Sequence, residues 1–437
     1  MNPAKWIFSG YLCIILVGCL LLSLPISSSG ERIDPVDSFF TATSSLCVTG
    51  LIVKDTPNDF SLFGHIVILV LIQLGGLGYM TVGSLLFLTL GRRFSIRQST
   101  VTSEGISLMD RGGLRSLIKR ILLFTIIFEV LGMLIFTHTF SVRNCNHPLW
   151  LGLFHSVSAF CNAGFSLFSD SFVRFQNDPL FLLTASSLFI IGGLGFVVLA
   201  ELITRRRKRL SLHSHIVLVT TLVLIVGGSI VFFFSENGNL LGNHSVGTKA
   251  LLSYFEATTP RTAGFTVLNL GRANNCTLFF ILMLMFIGAS PGGTGGGIKT
   301  TTIGICFLST LQYLRGKRNV NAFGKRIREE DIRRAFHLIG ISLALIAFGV
   351  LVLTLEGLPF RRILFEELSA FGTVGLSTGS LSMAGVSLSH DFSILGKIII
   401  IITMFAGRVG PLTLGFALLE RRELTTFKYP EELVQVG

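Results

Sequence analysis

A short glycine motif that recurs four times constrains this chain more than any other feature. SLCVTGL (45–51), AFCNAGF (159–165), TPRTAGF (259–265) and AFGTVGL (370–376) each end in Gly followed by Leu or Phe. The aligned glycines, Gly50, Gly164, Gly264 and Gly375, lie 114, 100 and 111 residues apart. A second landmark begins 24 to 32 residues beyond each glycine: GGLG at 75–78, GGLG at 192–195, GASP at 288–291 and GRVG at 407–410. Two landmarks in the same order four times define a fourfold internal repeat. Such a repeat is one supersecondary unit that buries its surface against its copies.

The apolar runs around these landmarks predict two helices per unit. First helices fall at 6–26, 117–137, 212–234 and 335–355; second helices fall at 65–90, 179–203, 276–314 and 393–419. Most reach the roughly 20 residues that cross a bilayer core. Half of the residues are apolar and 14% are charged, well below the quarter or so usual in soluble domains. A cleaved signal peptide is open to the first 26 residues, but the repeat needs a retained first span.

Charge placement sets the orientation. The N-terminus and segments 91–120, 201–215, 315–334 and 420–437 carry 24 of the 36 basic residues and 10 of the 24 acidic ones, a net +14 against −2 for the rest of the chain. Basic loops between spans lie in the cytoplasm, and both termini are expected there too. Runs such as Arg205–Arg209 are topology signals and lipid-headgroup contacts rather than a nucleic-acid surface. The seven cysteines do not form a disulfide framework; Cys145 and Cys276 fall on the outer side, where pairing is open to them.

Between its two helices each unit has a short apolar stretch, such as Val36–Ala42 or Trp150–Ala159, followed by the glycine motif. This fits a re-entrant half-helix with an extended return, which is tolerated at membrane depth only around a cavity. Backbone carbonyls arranged in rings can replace the hydration shell of a monovalent cation. Turning them inward requires dihedral angles that glycine adopts most readily. The predicted ion-binding backbone is Cys47, Val48, Thr49 and Gly50; Cys161, Asn162, Ala163 and Gly164; Arg261, Thr262, Ala263 and Gly264; and Gly372, Thr373, Val374 and Gly375. A lone glycine here would more simply serve close helix packing, but four aligned copies favour the carbonyl reading.

Unit three departs from the others. Gly288, Ala289, Ser290, Pro291, Gly292, Gly293, Thr294, Gly295, Gly296 and Gly297 interrupt its second helix, with Lys299 just beyond. Helix does not run through so much glycine and a proline, so an irregular, mobile loop is expected below the filter. It is not a phosphate-binding loop, because Ile298 separates Gly297 from Lys299 and no strand precedes it. Arg408 lies in an otherwise apolar span, where a charge is costly and usually functional. The repeat places it level with Gly76, Gly193 and Ala289, as a cation barrier beside the loop or as a structural donor to loop carbonyls. Glu256 and Glu367, each eight residues before a glycine, are expected to orient half-helices or attract cations. Glu129 has no partner visible in the sequence. The nine histidines lack metal-ligand spacing, and no nucleophile–base pair points to an enzyme.

These motifs resemble those of the Trk/Ktr/HKT superfamily of potassium transporters over residues 6–419, and eight spans make the chain similar to Ktr-type membrane subunits. The resemblance implies an all-α polytopic membrane protein of four helix–pore loop–helix units, with eight transmembrane helices and four half-helices around a central pore. The units are expected at 1–90, 91–210, 211–315 and 316–420, followed by a cytoplasmic tail at 421–437. In the superfamily a serine at the first filter glycine accompanies sodium preference, so Gly50 implies K+ as the transported ion, with Na+ open as a second. The resemblance further implies a gate made by the glycine-rich loop and Arg408, a homodimer with one pore per protomer, and a cytosolic nucleotide-binding RCK/KTN ring. Passive and sodium-coupled flux both fit. The competing class is a secondary transporter of another small solute bound at the broken helix, which the common orientation of all four units disfavours.

Overall fold

The structure, a computed structural model, describes residues 3–78, 113–203, 210–317 and 319–411. The expected ends of the first and last second helices, residues 91–112 and 204–209 of the basic segments, and the whole of 420–437 lie outside them. The chain is an all-α membrane protein in which a long helix, a short helix and a second helix succeed one another four times. The elements are α1 (Pro3–Leu22), α2 (Pro35–Leu46) and α3 (Leu62–Leu77); then α4 (Gly113–Val142), α5 (Pro148–Phe160), α6 (Pro179–Leu194) and α7 (Phe196–Ile203). They continue with α8 (Leu212–Glu236), α9 (Val246–Thr258), α10 (Asn275–Phe286) and α11 (Thr300–Leu314). Last come α12 (Glu329–Leu353), α13 (Phe360–Gly372) and α14 (Ile394–Val409), with a two-residue hairpin, β1 (Asn321–Ala322) and β2 (Lys325–Arg326), before α12.

Local chemistry starts these helices where they start. Pro35, Pro148 and Pro179 occupy first-turn positions, where a missing N–H costs nothing. Ser61, Asp178, Ser211, Ser245 and Ser393 cap α3, α6, α8, α9 and α14 by accepting backbone N–H bonds. Three helices among the described residues are long and apolar enough to cross a membrane: Lys119–Val142, Leu212–Glu236 and Glu329–Glu356. Their outward faces expose Leu123, Ile126, Leu222, Val223, Phe348 and Leu351, the apolar surface that a membrane-spanning helix presents to its surroundings.

The short helices are the buried centre. Each packs on the first helix of its own run and on the second helix of the run before it: α5 on α3, α9 on α6, α13 on α10, and α2 on α14; α2, α5 and α13 pack on the second helix of their own run as well. The sequence of neighbours therefore closes into a cycle. Phe40, Phe154, Phe255, Phe365 and Phe371 are fully buried at these contacts.

The second helices differ from expectation. Three were expected to run unbroken, yet α3, α6 and α14 all stop at the second landmark, as α10 does. The following residue is Gly78, Gly195 or Gly410, with φ of 76°, 91° and 92°. A helix cannot continue through a positive φ, and only glycine adopts it at little cost. Beyond Gly195 the chain turns by 100° into α7. Cys145 and Cys276 are both free.

Candidate functional site

The four glycine segments leave the C-terminal ends of α2, α5, α9 and α13 and meet at one place. In every segment the residue two before the glycine is left-handed: Val48, Asn162, Thr262 and Thr373 have φ of 56°, 60°, 73° and 48°. The glycines themselves have φ of 88° (Gly50), 71° (Gly164), 77° (Gly264) and 90° (Gly375). Two positive-φ residues thus stand two positions apart in each segment.

The glycines form a ring. A methyl group added at Gly50 would meet the Ala163 carbonyl oxygen; at Gly164, that of Ala263; at Gly264, that of Val374; and at Gly375, that of Thr49. Each glycine therefore faces the carbonyl that precedes the next unit's glycine, and the fourth unit closes on the first.

Hydroxyl side chains hold this backbone in place. Ser44 Oγ donates to the Leu51 carbonyl at 2.7 Å and accepts from Gly50 N at 3.1 Å. Ser158 Oγ donates to Phe165 O at 2.7 Å, and Thr259 Oγ1 to Phe265 O at 2.6 Å. Ser369 Oγ accepts from Gly375 N at 3.1 Å. Ser44, Ser158 and Ser369 each precede their glycine by six residues, whereas Thr259 precedes Gly264 by five. Unit three is one residue shorter here, which upsets the pairing of Glu256 with Glu367. Glu256 braces the strand leaving the ring, with Oε1 accepting from Val267 N at 2.8 Å and Leu268 N at 3.2 Å. The counterpart in unit four is Glu366, which accepts from Ser377 Oγ at 2.7 Å and Ser389 N at 2.9 Å. Glu367 turns the other way, to Thr403 Oγ1 on α14 at 2.8 Å. In unit two His155 takes the bracing position, its Nε2 accepting from Leu167 N at 3.2 Å.

Residues 287–299 link α10 to α11 as an irregular loop lying against the ring. Gly296 N donates to Thr373 Oγ1 at 2.9 Å, and Asn162 bridges Thr262 Oγ1 (3.2 Å) and Thr294 Oγ1 (3.1 Å). A methyl group on Gly295 would collide with Thr262 Oγ1, so the loop's glycines permit this approach. Ser290 N and Thr294 N bond to Gly193 O and Gly192 O, Gly297 N to Gly407 O, and Phe196 N to Gly292 O. Lys299 Nζ donates to Gly295 O at 2.7 Å. The half-buried Arg408 guanidinium spans the site, with Nη1 donating to Thr294 O in the loop and Nη2 to Gly75 O at the end of α3.

Two charged residues acquire partners that sequence did not supply. Glu129 accepts from Gln73 Nε2 at 3.3 Å and lies 3.9 Å from Cys161 Sγ, behind the second glycine segment. The Arg261 side chain is buried and turned from the ring to α8, where Nη2 donates to Thr221 Oγ1 at 3.2 Å. The bracing hydroxyls have a sequence signal, a Ser or Thr five or six residues before each glycine.

A ring of backbone segments fed by half-helices, inside a helical scaffold clad in apolar side chains, defines a polytopic membrane transport protein. The chain belongs to the TrkH family of cation transport proteins, which it matches over residues 16–424. It is 39% identical to the Ktr system potassium uptake protein B of Bacillus subtilis, covering all of this chain and 97% of that one. It is 36% identical to the potassium/sodium uptake protein NtpJ of Enterococcus hirae, over all of this chain and 98% of the relative. The solved potassium transporter TrkH from Vibrio parahaemolyticus shares the fold with a TM-score of 0.71, at 17% identity over 94% of this chain and 84% of the other. The family is one of transporters, not of enzymes.

Proposed function

We propose that the chain carries K+ into the cell across the cell membrane, along the axis where the four glycine segments meet. The observation that carries this reading is the ring, with two positive-φ residues in each of four segments and each glycine set against the next unit's carbonyl. Oxygen dipoles at 47–50, 161–164, 261–264 and 372–375 would replace the hydration shell of a monovalent cation without burying a fixed charge. Four half-helices ending at the ring add their negative dipole ends, which favours a cation there. The relatives' printed names, potassium uptake in one and potassium/sodium uptake in another, agree with this. Glycine rather than serine at position 50 supports K+ over Na+, with Na+ as a candidate second ion.

On this reading the loop 288–297, with Lys299 and Arg408, is the gate. Its bonds to units two and four, and through Arg408 to unit one, support the assignment, because a cation leaving the ring would have to displace it. The basic loops and both termini are cytoplasmic. The working assembly is a homodimer with one pore per protomer, bound to a cytosolic RCK/KTN ring. Expression in cells lacking their own potassium uptake tests the function. Restored growth and rubidium-tracer uptake at low external potassium are expected. No uptake with the protein present in the membrane beside its regulatory partner would refute it.

A further inference from the structure

A groove of about 360 Å³ runs between α4 and α7. Leu123, Phe124 and Phe128 form one wall, and Phe196, Leu199 and Ile203 the other. Arg120 is the one charged residue among the described residues that line it, and it is exposed. It is the last charged residue before the apolar run Ile121–Phe128, so the mouth of the groove falls where apolar helix gives way to basic chain, the level at which acyl chains meet headgroups. The 100° turn at Gly195 creates the groove by carrying α7 away from the line of α6.

We propose that this groove binds an anionic phospholipid, with an acyl chain between α4 and α7 and the phosphate beside Arg120. The occupant follows from the chemistry. An apolar slot at the membrane rim is surrounded by acyl chains, and a guanidinium at its mouth, with no carboxylate among the described lining residues, matches a phosphate. The site also lies one hydrogen bond from the glycine-rich loop, since Phe196 N at the start of α7 donates to Gly292 O at 3.2 Å. A lipid that fixes α7 therefore bears on that loop.

The test uses the full chain, purified in mild detergent from vesicles of equal phosphatidylglycerol and phosphatidylcholine, with retained lipid read by native mass spectrometry. The wild type should retain phosphatidylglycerol in preference. Arg120→Gln should lower that preference about fivefold, the equivalent of the roughly 1 kcal/mol that one basic residue gains near anionic lipid. Leu123→Trp, which fills the groove from an exposed position, should reduce retention of both lipids. Equal retention of the two lipids by the wild type, or an unchanged preference in Arg120→Gln, would overturn the proposal. So would a lipid-free wild type whose groove is covered by a second copy of the chain. The readout is mass, so it stands apart from any result on potassium transport.

Discussion

Replacing Arg408 separates two ways in which one residue can close a pore. Its guanidinium donates to Thr294 O in the loop and to Gly75 O on α3, and it also places a positive charge beside the ring's axis. Charge-assisted hydrogen bonds are worth about 1.5–3 kcal/mol each, so Arg408→Ala forfeits a tether of about 3–6 kcal/mol. The charge is a separate contribution. For a cation passing at about 8 Å, with an effective dielectric constant of about 20, its repulsion is about 2 kcal/mol. Removing that barrier would speed passage roughly thirtyfold. Arg408→Lys keeps the charge but lacks the planar fork that reaches two carbonyls at once. Potassium uptake at matched membrane expression, without the regulatory partner, should therefore rise in the alanine variant. The lysine variant should stay near wild type if charge dominates and follow alanine if the tether dominates. Uptake by Arg408→Ala at or below wild type, with the protein assembled, would refute the barrier and leave Arg408 as a structural donor.

Deleting residues 292–297 removes the bonds from Thr294 and Gly297 that fix the loop, and potassium flux should rise; a fall in a folded protein would make the loop a support. Ser158→Ala strips the donor from the buried Phe165 carbonyl, so thermal unfolding should show a loss of about 1–3 kcal/mol. Ser158→Thr should recover part of it, since Thr259 serves the same role in unit three. Glu129→Ala leaves Gln73 and Cys161 without their carboxylate and should cost a similar amount in the same assay, whereas Glu129→Gln should cost less.

The ring was readable in the sequence because its chemistry is local. A backbone that must adopt positive φ writes glycine at one fixed place in each unit, and four copies make the pattern visible. The loop at 288–297 was readable for the same reason, since Pro291 and its glycines break helix anywhere. The breaks after Leu77, Leu194 and Val409 were hidden, because each depends on one glycine inside an apolar run that hydropathy treats as continuous. Glu256 and Glu367 were mispaired because counting back from the glycine ignores the residue that unit three lacks. Glu129 found its partner in Gln73, which belongs to another unit, and no periodicity within a unit encodes that contact. Arg408 was recognisable by its cost in an apolar span, but its two acceptors emerge only when units one, three and four are assembled.

The central claim is that the four-glycine ring selects the ion, and Gly50 tests it most directly. Gly50 has a φ of 88°, and a side chain there would start 2.5 Å from Ala163 O and 2.9 Å from Gly164 Cα. A residue other than glycine held in such a conformation costs of order 1–3 kcal/mol, which the ring must absorb by moving its carbonyls. The measurement is the ratio of potassium to sodium uptake in vesicles containing wild-type or Gly50→Ser protein, with the regulatory partner supplied. The account predicts a wild type that favours potassium and a variant whose ratio falls roughly tenfold, the equivalent of about 1.4 kcal/mol. An unchanged ratio in a correctly assembled Gly50→Ser protein would contradict it.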